Sequence, residues 1–181
     1  MRRVFIDTEW TAVPWSSASD LLWVGLADED GLSWCGLSSE ARVDPANEKY
    51  VSDLLQLITP EVPRHTRTEL STAVQSFCGD VHEFWAWIPT PENFAAWSRL
   101  GNAALDVYQR CRDIDLQMLR ALVVPWPRTW PNSLQDLNAA AIAAGVRVPP
   151  RAANHLHPRV HAEWNSQLFS LVRAASSSGD T

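Results

Sequence analysis

Arg3-Val4-Phe5-Ile6-Asp7-Thr8-Glu9-Trp10 is an apolar run that ends in two carboxylates one residue apart. Side chains two apart on a strand point to the same face, so Asp7 and Glu9 present their carboxylates side by side. Two anions that close repel unless a positive charge lies between them. Hard divalent cations such as Mg²⁺ or Mn²⁺ favour such oxygen ligands. A plain strand end running into a solvated loop would carry the same residues, so the pair gains weight only from the pattern around it.

Outward from this strand, Leu21-Leu22-Trp23-Val24-Gly25-Leu26-Ala27 reads as a buried strand, and Asp28-Glu29-Asp30-Gly31 as the turn into a hairpin partner over 32–37. Asp44-Pro45 opens a helix with Tyr50, Val51, Leu54, Leu55 and Ile58 on one side, ending before Pro60. Thr66-Arg67-Thr68-Glu69 is a capping box, and Leu70, Ala73, Val74 and Phe77 are the inward face of the helix that follows it. Residues 81–88 form a mostly apolar strand, after which Thr90-Pro91 caps a helix with Glu92 in its first turn. Residues 105–108 are expected as a fifth strand and residues 113–122 as a helix. The prolines of 124–131 demand a connection. Ser133 to Asp136 reads as the cap of a helix ending at Gly145. A last helix over 158–174 turns Val160, Trp164, Leu168, Leu171 and Val172 inward, with a disordered tail behind it. Three antiparallel strands followed by alternating helices and strands predict an α/β fold with a mixed central sheet.

The bulk properties narrow the class. The 181 residues, 46% of them hydrophobic, suffice for one core, so a single domain over 1–174 with a tail at 175–181 is expected. A formal charge of −6 argues against a broad basic surface for nucleic acid, leaving local contacts only. Met1-Arg2-Arg3 leads straight into the first strand without an apolar leader, and no run reaches membrane-spanning length. Cys35, Cys78 and Cys111 are scattered and odd in number, which points to free thiols in a reducing cytoplasm. Of ten tryptophans, Trp23, Trp34, Trp85 and Trp87 sit in strand-like runs; Trp10 and Trp15, near the acidic strand end, are candidates for stacking on a base.

Asp7-Thr8-Glu9, Trp85-Ala86-Trp87, Pro149-Pro150-Arg151 and Trp164-Asn165-Ser166-Gln167-Leu168-Phe169 together make the chain resemble the small bacterial 3'–5' exoribonucleases of the DEDDh group. The likeness runs to about Arg173 and implies a ribonuclease H-like sheet, three antiparallel strands then parallel ones, flanked by helices. It also implies four carboxylates holding two divalent ions, and a histidine that deprotonates the attacking water. On this resemblance Asp7 and Glu9 are the first two carboxylates, and Glu92 stands where the family has its third, usually Asp. In the last motif the sequence departs: Leu156 falls at the position of the general base and His161 at that of the fourth carboxylate. His155 or His157 takes the role of base if the register slips by one residue. His157 and His161, four apart, share a helix face, and imidazole there favours Mn²⁺ or another transition ion over Mg²⁺.

Two functions follow from the resemblance. One is a metal-dependent 3'–5' exonuclease with an altered site, acting on single-stranded nucleic acid, RNA ahead of DNA. The other is a pseudo-enzyme that keeps the fold as a nucleic-acid or protein binding module. A third idea is a homodimer that pairs through Trp126 and Trp130, on the premise that these aromatics are exposed.

Overall fold

The computed structural model describes residues 1–13, 16–56, 62–151 and 157–178. Its six-stranded mixed sheet has the order β4-β3-β2-β1-β5-β6. The strands are β1 (Arg2–Trp10), β2 (Leu21–Asp28), β3 (Ser33–Ser38), β4 (Arg64–His65), β5 (Val81–Ala86) and β6 (Leu134–Asp136). β1 to β3 are antiparallel neighbours, while β5 pairs parallel to β1 and β6 parallel to β5. Seven α-helices are present among the described residues: α1 (Glu48–Leu55), α2 (Arg67–Cys78), α3 (Pro91–Ser98), α4 (Ala104–Cys111), α5 (Ile114–Leu122), α6 (Leu137–Ala143) and α7 (Pro158–Ser178). This is the ribonuclease H-like arrangement that the sequence leads one to expect.

Alternation along β1 builds two cores. Val4 and Ile6 pack with Leu70 and Val74 of α2 and with Leu116, Leu119 and Leu122 of α5. Phe5, on the other face, packs with Ala27, with Leu137 of α6, and with Ala162, Leu168 and Phe169 of α7. The β1 strand is therefore sandwiched between helices for most of its length, which is why its run is apolar until the carboxylates. The capping box forms as read: Thr66 accepts from the Glu69 N–H, and Glu69 accepts from the Thr66 N–H at 2.8 Å.

Four expectations are corrected. Residues 105–108 lie in α4 rather than in a strand, because Ala104, Val107 and Tyr108 are buried at helical spacing and Leu105 is exposed. Leu134–Asp136 pairs with β5 as a short edge strand, so the helix starts later, with Asp136 as its N-cap accepting from Ala139 N–H at 3.0 Å. α7 runs to Ser178, into the stretch expected as tail, and its Leu171 is exposed while His161, Ala162 and Asn165 face inward. Trp130 is buried and Trp126 packs beside it, both against Phe84, with Trp130 Nε1 donating to Gly79 O at 2.7 Å. Trp130 is thus a core ring and Trp126 a partly buried one, so the two are not the pair of exposed aromatics that the sequence suggested. Ile58 lies outside the described residues. Among the described residues, no helix is long and apolar enough to cross a membrane.

Candidate metal centre

The centre is assembled where α7 crosses the end of β1. Asp7 is paired in register with Gly25 of β2, and Glu9 with Trp23. A Cβ at Gly25 would stand 2.1 Å from the Pro158 carbonyl carbon and 2.3 Å from Arg159 N. Only a residue without a side chain lets the first turn of α7 lie directly on the strand beside Asp7. One turn on, the helix delivers His161, whose Nδ1 lies 3.2 Å from Asp7 Oδ2. Asn165 Nδ2 donating to Ile6 O (3.3 Å) and Ser166 Oγ donating to Asp28 O (2.9 Å) fix the crossing further along.

Asp7, Glu9 and His161 each offer one ligand atom, and these three atoms lie within 4.8 Å of one another. Glu9 and His161 are buried and Asp7 is partly so. His161 Nε2 is buried with no hydrogen-bond partner. A buried imidazole nitrogen left without a partner costs free energy. The donor set of two carboxylates and one imidazole suits Mn²⁺ and later transition ions, and accepts Mg²⁺ less readily.

Burial pushes the Glu9 carboxyl well above the ordinary carboxylate range, and the charges of Asp7 and Asp115 push the same way. Asp115 is the residue that sequence reasoning missed. It sits in the first turn of α5, on the opposite side of β1, where its Oδ1 accepts from Thr8 N–H (2.9 Å) and from the Thr8 hydroxyl (2.5 Å). Burial first, then the charge of Asp7, raises its carboxyl to about 7, although the two Thr8 hydrogen bonds work in the other direction. From the sequence, Asp113-Ile114-Asp115 looks like ordinary first-turn acidity. Burial and the charge of Glu9 push the phenol of Tyr50, in α1, up to about 12.

The sequence-predicted residues divide. Asp7, Glu9 and His161 come together. Glu92 is exposed in the first turn of α3 and stands outside the cluster, so the structure does not bring the expected third carboxylate to the ligand atoms. His157 also stays out of the cluster: it is buried against Trp23 with ring centroids 4.4 Å apart, and its Nδ1 has no partner. Burial holds its pKa below the ordinary imidazole value, and the nearby Arg159 charge acts in the same sense. Trp10 is partly exposed at the strand end and donates from Nε1 to the Thr8 hydroxyl at 2.8 Å. His155, Leu156 and Trp15 lie outside the described residues.

Neither a protein-family model nor a curated protein matches the chain. The functional argument therefore rests on the fold and on the geometry of this centre.

Proposed function

We propose that the chain is a divalent-metal-dependent phosphodiesterase that trims single-stranded RNA from its 3' end. The observation that carries this reading is the convergence of Asp7, Glu9 and His161 around one point at the end of β1. The resemblance noted in the sequence supplies the substrate class and the preference for RNA over DNA. Asp7, Glu9 and His161 would hold the ion, and a bound ion would supply Lewis-acid polarisation of a phosphoryl oxygen and a lowered pKa for water. Trp10, partly exposed and next in sequence to Glu9, offers an aromatic face of the kind that stacks on a base. His155 is the stronger candidate for proton acceptor, since the His157 ring is committed to Trp23.

The competing reading, a binding module that has lost its chemistry, is favoured by the exposed position of Glu92 outside the cluster. A 5'-labelled single-stranded RNA incubated with Mg²⁺, Mn²⁺ or Co²⁺ separates the two. We expect stepwise shortening from the 3' end, fastest with Mn²⁺ and abolished in Asp7→Ala. Retention of the RNA without shortening under every ion would overturn the enzyme and leave the binding module.

A further inference from the structure

Thr8 and Trp10 alternate with Asp7 and Glu9 along β1, and a chain of hydrogen bonds joins them to α5. The N–H and the hydroxyl of buried Thr8 both donate to one oxygen of Asp115, at 2.9 and 2.5 Å. That uses the only hydroxyl proton, so the Thr8 oxygen meets Trp10 as an acceptor: the indole Nε1 donates to it at 2.8 Å. The indole is therefore tied at two points, through Cβ to the strand and through Nε1 to Thr8, and rotation about both of its side-chain bonds is stopped. Thr8 is a firm anchor, being branched at Cβ and held twice by Asp115. The strand pairing shifts at the same place. Glu9 stands opposite Trp23 and Trp10 opposite Leu21, a bulge of the kind that re-aims a side chain next to a site. Packing gives no reason to hold this ring: among the described residues Trp10 joins none of the hydrophobic cores, and it stays partly exposed.

We infer that Thr8 and Asp115 are positioning residues for strand recognition: through Thr8 they hold the Trp10 indole as a preset platform on which one base of the bound RNA stacks. This rests on the RNA reading above and says how that substrate is gripped. Stacking of a base on an aromatic ring is worth roughly 5–150-fold in affinity. A ring that had to be immobilised on binding would give back ~2–10-fold of that, and the hydrogen-bond chain removes this cost before the strand arrives. With Nε1 turned into the protein, the ring offers a base its π-face and no donor, which grips a strand without choosing its sequence.

The test is fluorescence anisotropy of 5'-labelled single-stranded RNA on the intact chain, with Ca²⁺ in place of Mn²⁺ and the strand's integrity checked on a gel. Intact RNA is compared with RNA carrying an abasic residue at each of the 3'-terminal positions in turn. At one position the wild type should prefer the intact strand by roughly 5–150-fold, and Trp10→Ala should lose that preference. Thr8→Val should shrink it by ~2–10-fold while leaving affinity for the abasic strand unchanged, whereas Thr8→Ser, which keeps the hydroxyl, should match wild type. Asp115→Ala and Asp115→Asn give the same pair of outcomes from the other end of the chain, should Thr8→Val fail to fold. In a Trp10→Phe background, which has no Nε1, Thr8→Val should change nothing. Full preference in folded Thr8→Val or Asp115→Ala, equal losses on intact and abasic strands, or a wild type that binds RNA with no preference at any position would overturn the platform and leave the proposed function standing. A wild type that binds no RNA would overturn the RNA reading, and the platform with it.

Discussion

Asp115→Asn should stabilise the metal-free protein at alkaline pH, although it alters a residue with two good hydrogen bonds. Asparagine keeps the Oδ1 acceptor for Thr8 N–H and hydroxyl, and loses only the charge that Asp7 repels. The folded carboxyl titrates near 7 against an ordinary 3.8, so the native state holds a proton that the unfolded chain releases. The stability linked to this proton is fully present below about pH 4 and is lost as pH rises towards 7. At about 1.4 kcal/mol per pH unit, a shift of roughly three units sets a ceiling of about 4 kcal/mol for an isolated group. Asp115 titrates jointly with a neighbouring carboxyl, which brings the part belonging to Asp115 alone to on the order of 2 kcal/mol. Urea unfolding in EDTA at pH 5 and pH 8, for wild type and Asp115→Asn, isolates it. The difference between the two proteins cancels other titrating groups, including His157, whose lowered pKa works in the opposite direction over this range. The variant should be the more stable at pH 8 and should lose less stability between the two pH values. Equal pH dependence, or a variant weaker than wild type at pH 8, would refute a raised Asp115 carboxyl.

Two further substitutions examine how the centre is built. Gly25→Ala should drive the first turn of α7 off the strand, since its new methyl would overlap the Pro158 and Arg159 backbone; a loss of upwards of ~3 kcal/mol is expected by thermal unfolding, with Mn²⁺ binding weakened because His161 moves too. Glu92→Gln should leave Mn²⁺ affinity within about twofold of wild type, whereas Glu9→Gln should cost more than the ~10–100-fold typical of outer-shell changes, both read by titration calorimetry. A large effect of Glu92→Gln would mean that α3 closes onto the ion.

The parts of the fold that local chemistry specifies were legible from the residues. The Thr66–Glu69 capping box, the prolines at 45 and 91 and the apolar-to-acidic switch at Asp7 each state their structure within a few residues. Two short elements were not. Residues 105–108 span four positions, too few to distinguish a strand from a helix whose inward face is Ala104, Val107 and Tyr108. Leu134–Asp136 is a strand only because β5 lies beside it, and that pairing moves the N-cap from the Ser133 end of the motif to Asp136. The same distinction runs through the candidate site. Asp7, Glu9 and His161 announce themselves through spacing and resemblance. Asp115 meets Thr8 across 107 positions, and Gly25 matters because α7 comes to lie on it; neither relation leaves a local mark in the sequence. Arg151 was visible as part of Pro149-Pro150-Arg151, but its seat over Trp87 and Trp164 exists only once the fold brings those rings together.

The central claim is that Asp7, Glu9 and His161 form one metal centre, and anomalous diffraction from crystals soaked in Mn²⁺ addresses it most directly. The account predicts one anomalous peak, within about 2.0–2.6 Å of an oxygen of Asp7, an oxygen of Glu9 and a ring nitrogen of His161, with Arg151 still seated over Trp87 and Trp164. Manganese bound elsewhere on the surface, with these three side chains unligated, would contradict it.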